Sequence, residues 1–170
     1  MLIPSSVASR LQYQHKSLLD LVDGLSDEQI RMQVDTGKWS IFENIVHLQT
    51  YQHSFVNRVR RMLDEQNPSF ERYTAEADPL FHDNCGKSTR EIMQDLLTTR
   101  KEMAAGILSF NENDLKKTGE HPVYGKMDLV YWMNFFLLHE AHHLFTIFKM
   151  AAKLKSLPTK TAGQRRNEAD

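Results

Sequence analysis

Leu129-Val130-Tyr131-Trp132-Met133-Asn134-Phe135-Phe136-Leu137-Leu138-His139-Glu140-Ala141-His142-His143-Leu144-Phe145-Thr146-Ile147-Phe148-Lys149-Met150 is apolar on most faces and reads as the core of a long buried helix, placed from about Met127 to Lys155. The run His139-Glu140-Ala141-His142-His143 interrupts it. Four residues is close to one helical turn, so His139 and His143 project from the same face, one above the other. That is the geometry of a two-histidine metal clamp, and neutral imidazole is the commonest metal-binding side chain. His142 and Glu140 point away from this axis. The first reads as a boundary or packing residue, the second as solvent-facing or paired.

Upstream, the pattern predicts three more long helices. Val7, Leu11, Leu18, Leu19 and Val22 keep helical spacing from Ser5 to Val22, with Gly24 as a stop. Ser26-Asp27-Glu28-Gln29 and Ser40-Ile41-Phe42-Glu43 both have the form of a capping box. The first opens a brief helix. The second opens a long one carrying Ile41, Ile45, Leu48, Phe55, Val59 and Met62, which ends before Asn67-Pro68. Ser88-Thr89-Arg90-Glu91 is a third box, followed by Ile92, Leu96, Leu97, Met103 and Ile107. Between these two helices, Pro68 to Lys87 is aromatic but has no sustained period and reads as a long loop that walls or covers a site. Asn111 to Asp114 caps a short turn, and Gly119 to Lys126 reads as an extended excursion. No segment reads as a convincing strand. Four long helices indicate an all-α four-helix bundle. It forms a single domain over residues 1–157, with residues 158–170 a polar tail lacking periodic apolar positions and expected to be mobile.

Composition narrows the function. The 170 residues carry 21 basic and 22 acidic side chains, a formal charge of −1, which favours neither nucleic acid nor an anionic membrane. A single cysteine, Cys85, excludes an intrachain disulfide and a thiolate cluster, so a metal site must use nitrogen and oxygen. The N-terminus lacks the form of a secretory signal, and nowhere do eighteen apolar residues run together. A soluble cytoplasmic protein acting on a small molecule is the expectation.

His47 supplies a third candidate ligand, set among Ile45, Val46 and Leu48. Alone it reads equally as a hydrogen-bonded core histidine. Joined to His139 and His143 it completes a set that a bundle brings together from facing helices. Three protein nitrogens with positions left open is the catalytic arrangement for zinc, and nickel, iron or manganese suit the same donors. Glu43, one turn before His47, is a candidate proton acceptor, although its capping box already accounts for it. His82 and His121 lie in loops as possible substrate contacts, while His15 and His53 have no matching spacing. Trp39, Tyr131, Trp132 and the methionines read as core, and Arg58, Arg60 and Arg61 as a solvated basic face.

Two stretches carry a resemblance. Gly37-Lys38-Trp39-Ser40-Ile41-Phe42-Glu43-Asn44-Ile45-Val46-His47-Leu48 is similar to the Trp-Ser, Glu, His-Leu pattern of the DinB/YfiT-like family of metal-dependent four-helix-bundle enzymes. Gly125-Lys126-Met127 leading into His139-Glu140-Ala141-His142-His143 is similar to that family's last-helix core. The likeness spans about Ser5 to Lys155. It implies an up-down-down-up bundle and His47, His139 and His143 as ligands of a divalent metal, nickel or zinc in most cases. It also implies frequent homodimers and a relation to transferases that use low-molecular-weight thiols such as bacillithiol and mycothiol. A metal so held lowers the pKa of a bound water or thiol. Thiol S-transfer is then the leading expectation and metal-assisted hydrolysis the second. A non-catalytic metal-binding or dimerising bundle is the rival.

Overall fold

Ser26, Ser40 and Ser88 each accept a hydrogen bond from the backbone N–H three residues on, while the side-chain oxygens of Gln29, Glu43 and Glu91 accept one from the serine N–H. These boxes start three helices in the computed structural model, which describes residues 2–156. The elements are α1 (Ser5–Tyr13), α2 (Ser17–Val22), α3 (Asp27–Arg31), α4 (Ile41–Asp64), α5 (Pro79–Cys85), α6 (Thr89–Leu108), α7 (Glu112–Leu115), β1 (Thr118–His121), β2 (Gly125–Asp128) and α8 (Leu129–Ser156). The expected tail lies outside the described residues. No described helix is long and apolar enough to cross a membrane.

Side-chain contacts set the helix directions. Gln49 and Gln52 of α4 meet Asp95 and the Leu96 carbonyl of α6, so those two helices run parallel. Asn44 and His47 meet His143 and His139, so α4 and α8 run antiparallel. Arg10 and Gln14 meet Asn134 and Glu140, so the first helix runs parallel to α8. The order is therefore up-down-down-up. Parallel neighbours α4 and α6 cannot be joined by a tight turn, because the chain must return along α4, whose 24 residues span about 36 Å. That requirement produces the long connection through Pro68.

Several expectations are corrected. The first helix is not continuous: a 3-10 turn at Gln14–Lys16 separates α1 from α2 and buries His15. The Pro68 to Lys87 connection contains α5, which Asp78 caps and Pro79 opens at a first-turn position where its missing N–H costs nothing. Gly119 to Lys126 is not strandless. Thr118 pairs with Asp128, Gly119 with Met127, Glu120 with Lys126 and His121 with Gly125 in an antiparallel hairpin. Gly125 takes φ 71°, a conformation that glycine adopts without strain. Strands of four residues are too short to leave a period in the sequence, and they delay α8 to Leu129. Tyr131 is exposed rather than core.

The hairpin is tied to the other long connection. Phe70 N donates to Glu120 O at 3.0 Å, and Glu120 N donates to Pro68 O at 2.8 Å. At Gly119 the approach is so close that an added Cβ would lie 2.6 Å from Phe70 Cε2. Two buried clusters fill the bundle, one around Phe55, Trp132 and Phe136, the other around Ile45, Ile92 and Ile147. On α8 the histidines fall between them, and on α4 His47 sits at the end of the second cluster, one turn before Tyr51 of the first.

Candidate metal centre

Antiparallel packing of α4 on α8 sets His47 opposite His139 and His143. The Nε2 atoms of His47 and His139 are 3.1 Å apart. The ring centroids of His143 lie 4.4 Å from His47 and 4.7 Å from His139. One nitrogen from each of the three rings falls within 4.8 Å of the others. His82 is exposed and its Nε2 donates to the Glu76 backbone carbonyl at 2.9 Å, and His53 pairs with Asp95. Neither joins the group. His142 is exposed.

Burial holds all three rings neutral. Desolvation is the leading cause in each case, lowering His47 to about 4, His139 to about 3 and His143 to about 2, with mutual repulsion among the rings lowering the last two further. Their lone pairs are therefore free of protons at neutral pH. Asn44 fixes the tautomer of one ring. Its Nδ2 donates to Ser40 O at 2.8 Å, so its Oδ1, 2.9 Å from His143 Nδ1, must accept there. His143 then carries its proton on Nδ1 and keeps Nε2 bare. Trp39 packs against His47 at 5.1 Å between centroids and against His143 at 6.2 Å.

These residues fit a divalent cation. Nitrogens around zinc at about 2.0–2.1 Å stand roughly 3.3 Å apart in a tetrahedron, close to the 3.1 Å separation of His47 and His139. The Nδ1 atoms of both rings are buried without a hydrogen-bond partner among the described residues, and it is the two Nε2 atoms, facing each other, that stand where an ion would be held. Glu43 takes the capping role: its Oε2 accepts from both the N–H and the hydroxyl of Ser40, each at 2.7 Å. Glu140 is buried, not solvent-facing, and pairs with Arg100.

A cavity of about 380 Å³ opens beside the histidines and is lined by His47 and His139. Its far wall comes from the two long connections, with Arg72 and Tyr73 from one and His121 and Tyr124 from the other. The Tyr73 hydroxyl donates to Asp78 Oδ2 at 2.8 Å and lies 2.9 Å from Thr50 Oγ1. Burial pushes the Tyr51 hydroxyl up to about 12 and raises that of Tyr73 as well, so both stay protonated. Arg58 is the main correction to the sequence reading, because it is buried in this cavity rather than solvated. A signal for it exists: residues 47, 51 and 58 recur at i, i+4 and i+11, which a helix places on one face.

A family model for the DinB superfamily matches residues 10–147. The chain belongs to the DinB superfamily. Among its DinB relatives, YuaE of Bacillus subtilis (strain 168), an uncharacterized protein, is 26% identical over 146 residues, covering 78% of this chain and 89% of YuaE. The DinB fold is shared with YfiT from Bacillus subtilis, at a TM-score of 0.76 and 18% identity over 88% of this chain and 86% of that one. YfiT is described as a probable metal-dependent hydrolase with an unusual four-helix bundle topology. TT2238, a four-helix bundle protein, aligns at a TM-score of 0.61 and 19% identity over 84% of this chain and 95% of that one.

Proposed function

We propose that this DinB-superfamily protein is a metal-dependent enzyme whose divalent ion, zinc or nickel, is held by His47, His139 and His143. The observation that carries this reading is the convergence of three neutral imidazoles from two helices at the edge of a cavity. A divalent ion held there supplies Lewis acidity and favours the deprotonated form of a bound water or thiol. Asn44 orients His143, Trp39 shields the set on one side, and the cavity leaves the other side open to a small molecule.

Thiol S-transfer is the favoured reaction. No aspartate or glutamate lines the cavity among the described residues, and Glu43 is engaged at the helix cap. A site without a carboxylate base suits a nucleophile that ionises readily, and a thiol, near pKa 8.5, does so far more easily than water. In that reaction the thiol sulfur bonds to the electrophilic atom of the second substrate, the leaving group departs with the bonding pair, and the thiol proton is released. Metal-assisted hydrolysis is the second reading, supported by the description of YfiT. A homodimer is proposed through the outer face of α8, where exposed Tyr131, Leu138 and Phe145 recur every seventh residue; light scattering reads the mass directly.

Metal analysis of tag-free protein tests the first step. One divalent ion per chain in the wild type and none in His139→Ala is expected, and an equal content in both ends the proposal. Screening the loaded protein against bacterial thiols paired with electrophiles then separates transferase from hydrolase.

A further inference from the structure

Arg58 is only 7% exposed, and its guanidinium lies 5.4 Å from the Trp132 ring, 5.6 Å from Phe70 and 6.0 Å from Tyr51. Burying a cation is costly unless an anion accompanies it. Arg100, buried still more deeply, has Glu140 for that purpose. Arg58 has neutral partners instead: Nη2 donates to the Glu71 carbonyl at 2.9 Å, and the Tyr51 hydroxyl faces it. A guanidinium carries five N–H donors in a rigid fork suited to carboxylate and phosphate. Arg72 contributes a second cation, His121 stands on the hairpin side, and no acidic side chain lines the wall among the described residues.

We propose that Arg58 is the receptor for an oxyanion, carboxylate or phosphate, at one end of the small molecule that reacts at the three histidines. The assignment of that reacting end rests on the proposed function; the anion site itself does not. His47 and Arg58 line the same cavity, so a molecule anchored by its anionic end presents its other end to the imidazoles. A cavity of about 380 Å³ admits a small metabolite and not a polymer. Arg58 becomes fully paired only when that molecule is bound, which makes the site selective against uncharged analogues. Arg72, exposed at the rim, attracts the anion without being buried by it.

Calorimetric titration of the full chain with glutarate, its uncharged diamide and inorganic phosphate tests this, in both metal-loaded and chelator-treated protein. Glutarate or phosphate should bind both forms, and the diamide neither. Preference between the two anions identifies the group. Arg58→Gln should weaken binding by about tenfold or more, the scale of a charge-assisted contact, with no loss of melting temperature. Arg58→Lys, which keeps the charge and loses the fork, should weaken it less. Equal binding of the diamide, unchanged affinity in Arg58→Gln, or a lowered melting temperature in Arg58→Gln with undiminished binding in Arg58→Lys would overturn the proposal. Because the chelated protein is measured separately, failure to bind metal leaves the anion result readable.

Discussion

Asn44 Oδ1 stands 2.9 Å from Nδ1 of His143 across 99 positions of sequence, and the same Asn44 side chain donates to the carbonyl of Ser40. One amide thereby connects the N-cap of α4 to an imidazole on α8. Partners of this kind orient a ligand ring and fix its tautomer, and losing one typically costs about 10–100-fold in metal affinity. Asn44→Ala should therefore bind metal more weakly by that factor while keeping its helical circular dichroism. Competition with a chromophoric chelator measures it; undiminished affinity would remove Asn44 from the centre.

Acid should destabilise the metal-free protein. His15, like the three cluster histidines, is lowered by burial, to about 4, with Arg100 adding repulsion. A base with a lower pKa in the folded than in the unfolded state binds fewer protons when folded, so its contribution is fully present above about pH 6.5 and is lost as pH falls toward the folded value. At pH 5 a single such histidine costs up to about 2 kcal/mol. Melting temperature should fall between pH 7 and pH 5, and His15→Gln should reduce the slope. A flat profile over that window contradicts the burial of neutral imidazoles.

Arg100 and Glu140 form a buried ion pair, with Gln52 Oε1 accepting from Arg100 Nε at 2.7 Å and Gln14 Nε2 donating to Glu140 Oε2 at 2.8 Å. Removing one partner strands the other charge in the core, a loss of about 3–5 kcal/mol, whereas replacing both by apolar groups is far milder. Glu140→Gln should thus be more destabilised in urea than the double variant Arg100→Met, Glu140→Leu. The reverse order would show that the pair itself stabilises the bundle.

Gly119→Ala tests the junction between the two walls of the cavity. The added methyl would stand 2.6 Å from Phe70 Cε2 and 3.1 Å from Met62 Cγ. Overpacking of that kind costs about 1–3 kcal/mol. The urea midpoint should drop accordingly, and Phe70→Leu in the same chain should restore part of it. An unaffected midpoint would mean that the hairpin swings clear of Phe70 at no cost.

Helix starts are legible from the sequence because a capping box is local: serine and its partner three residues later satisfy each other within one turn, as at Ser26, Ser40 and Ser88. The spacing of His139 and His143 is local in the same sense, and so is the apolar stripe that declares α8. The bundle follows from these, since amphipathic helices of such length must bury their stripes against one another. Arg58, Asn44 and the hairpin behave differently. What Asn44 accepts from, whether Arg58 meets water or an aromatic wall, and what the hairpin docks on at Pro68 and Phe70 depend on groups tens of residues away. Only the packed chain brings those groups near. Burial is what then turns an ordinary arginine into a desolvated cation held by neutral partners and three histidines into neutral bases, because desolvation acts on a side chain through everything around it and not through its neighbours in sequence.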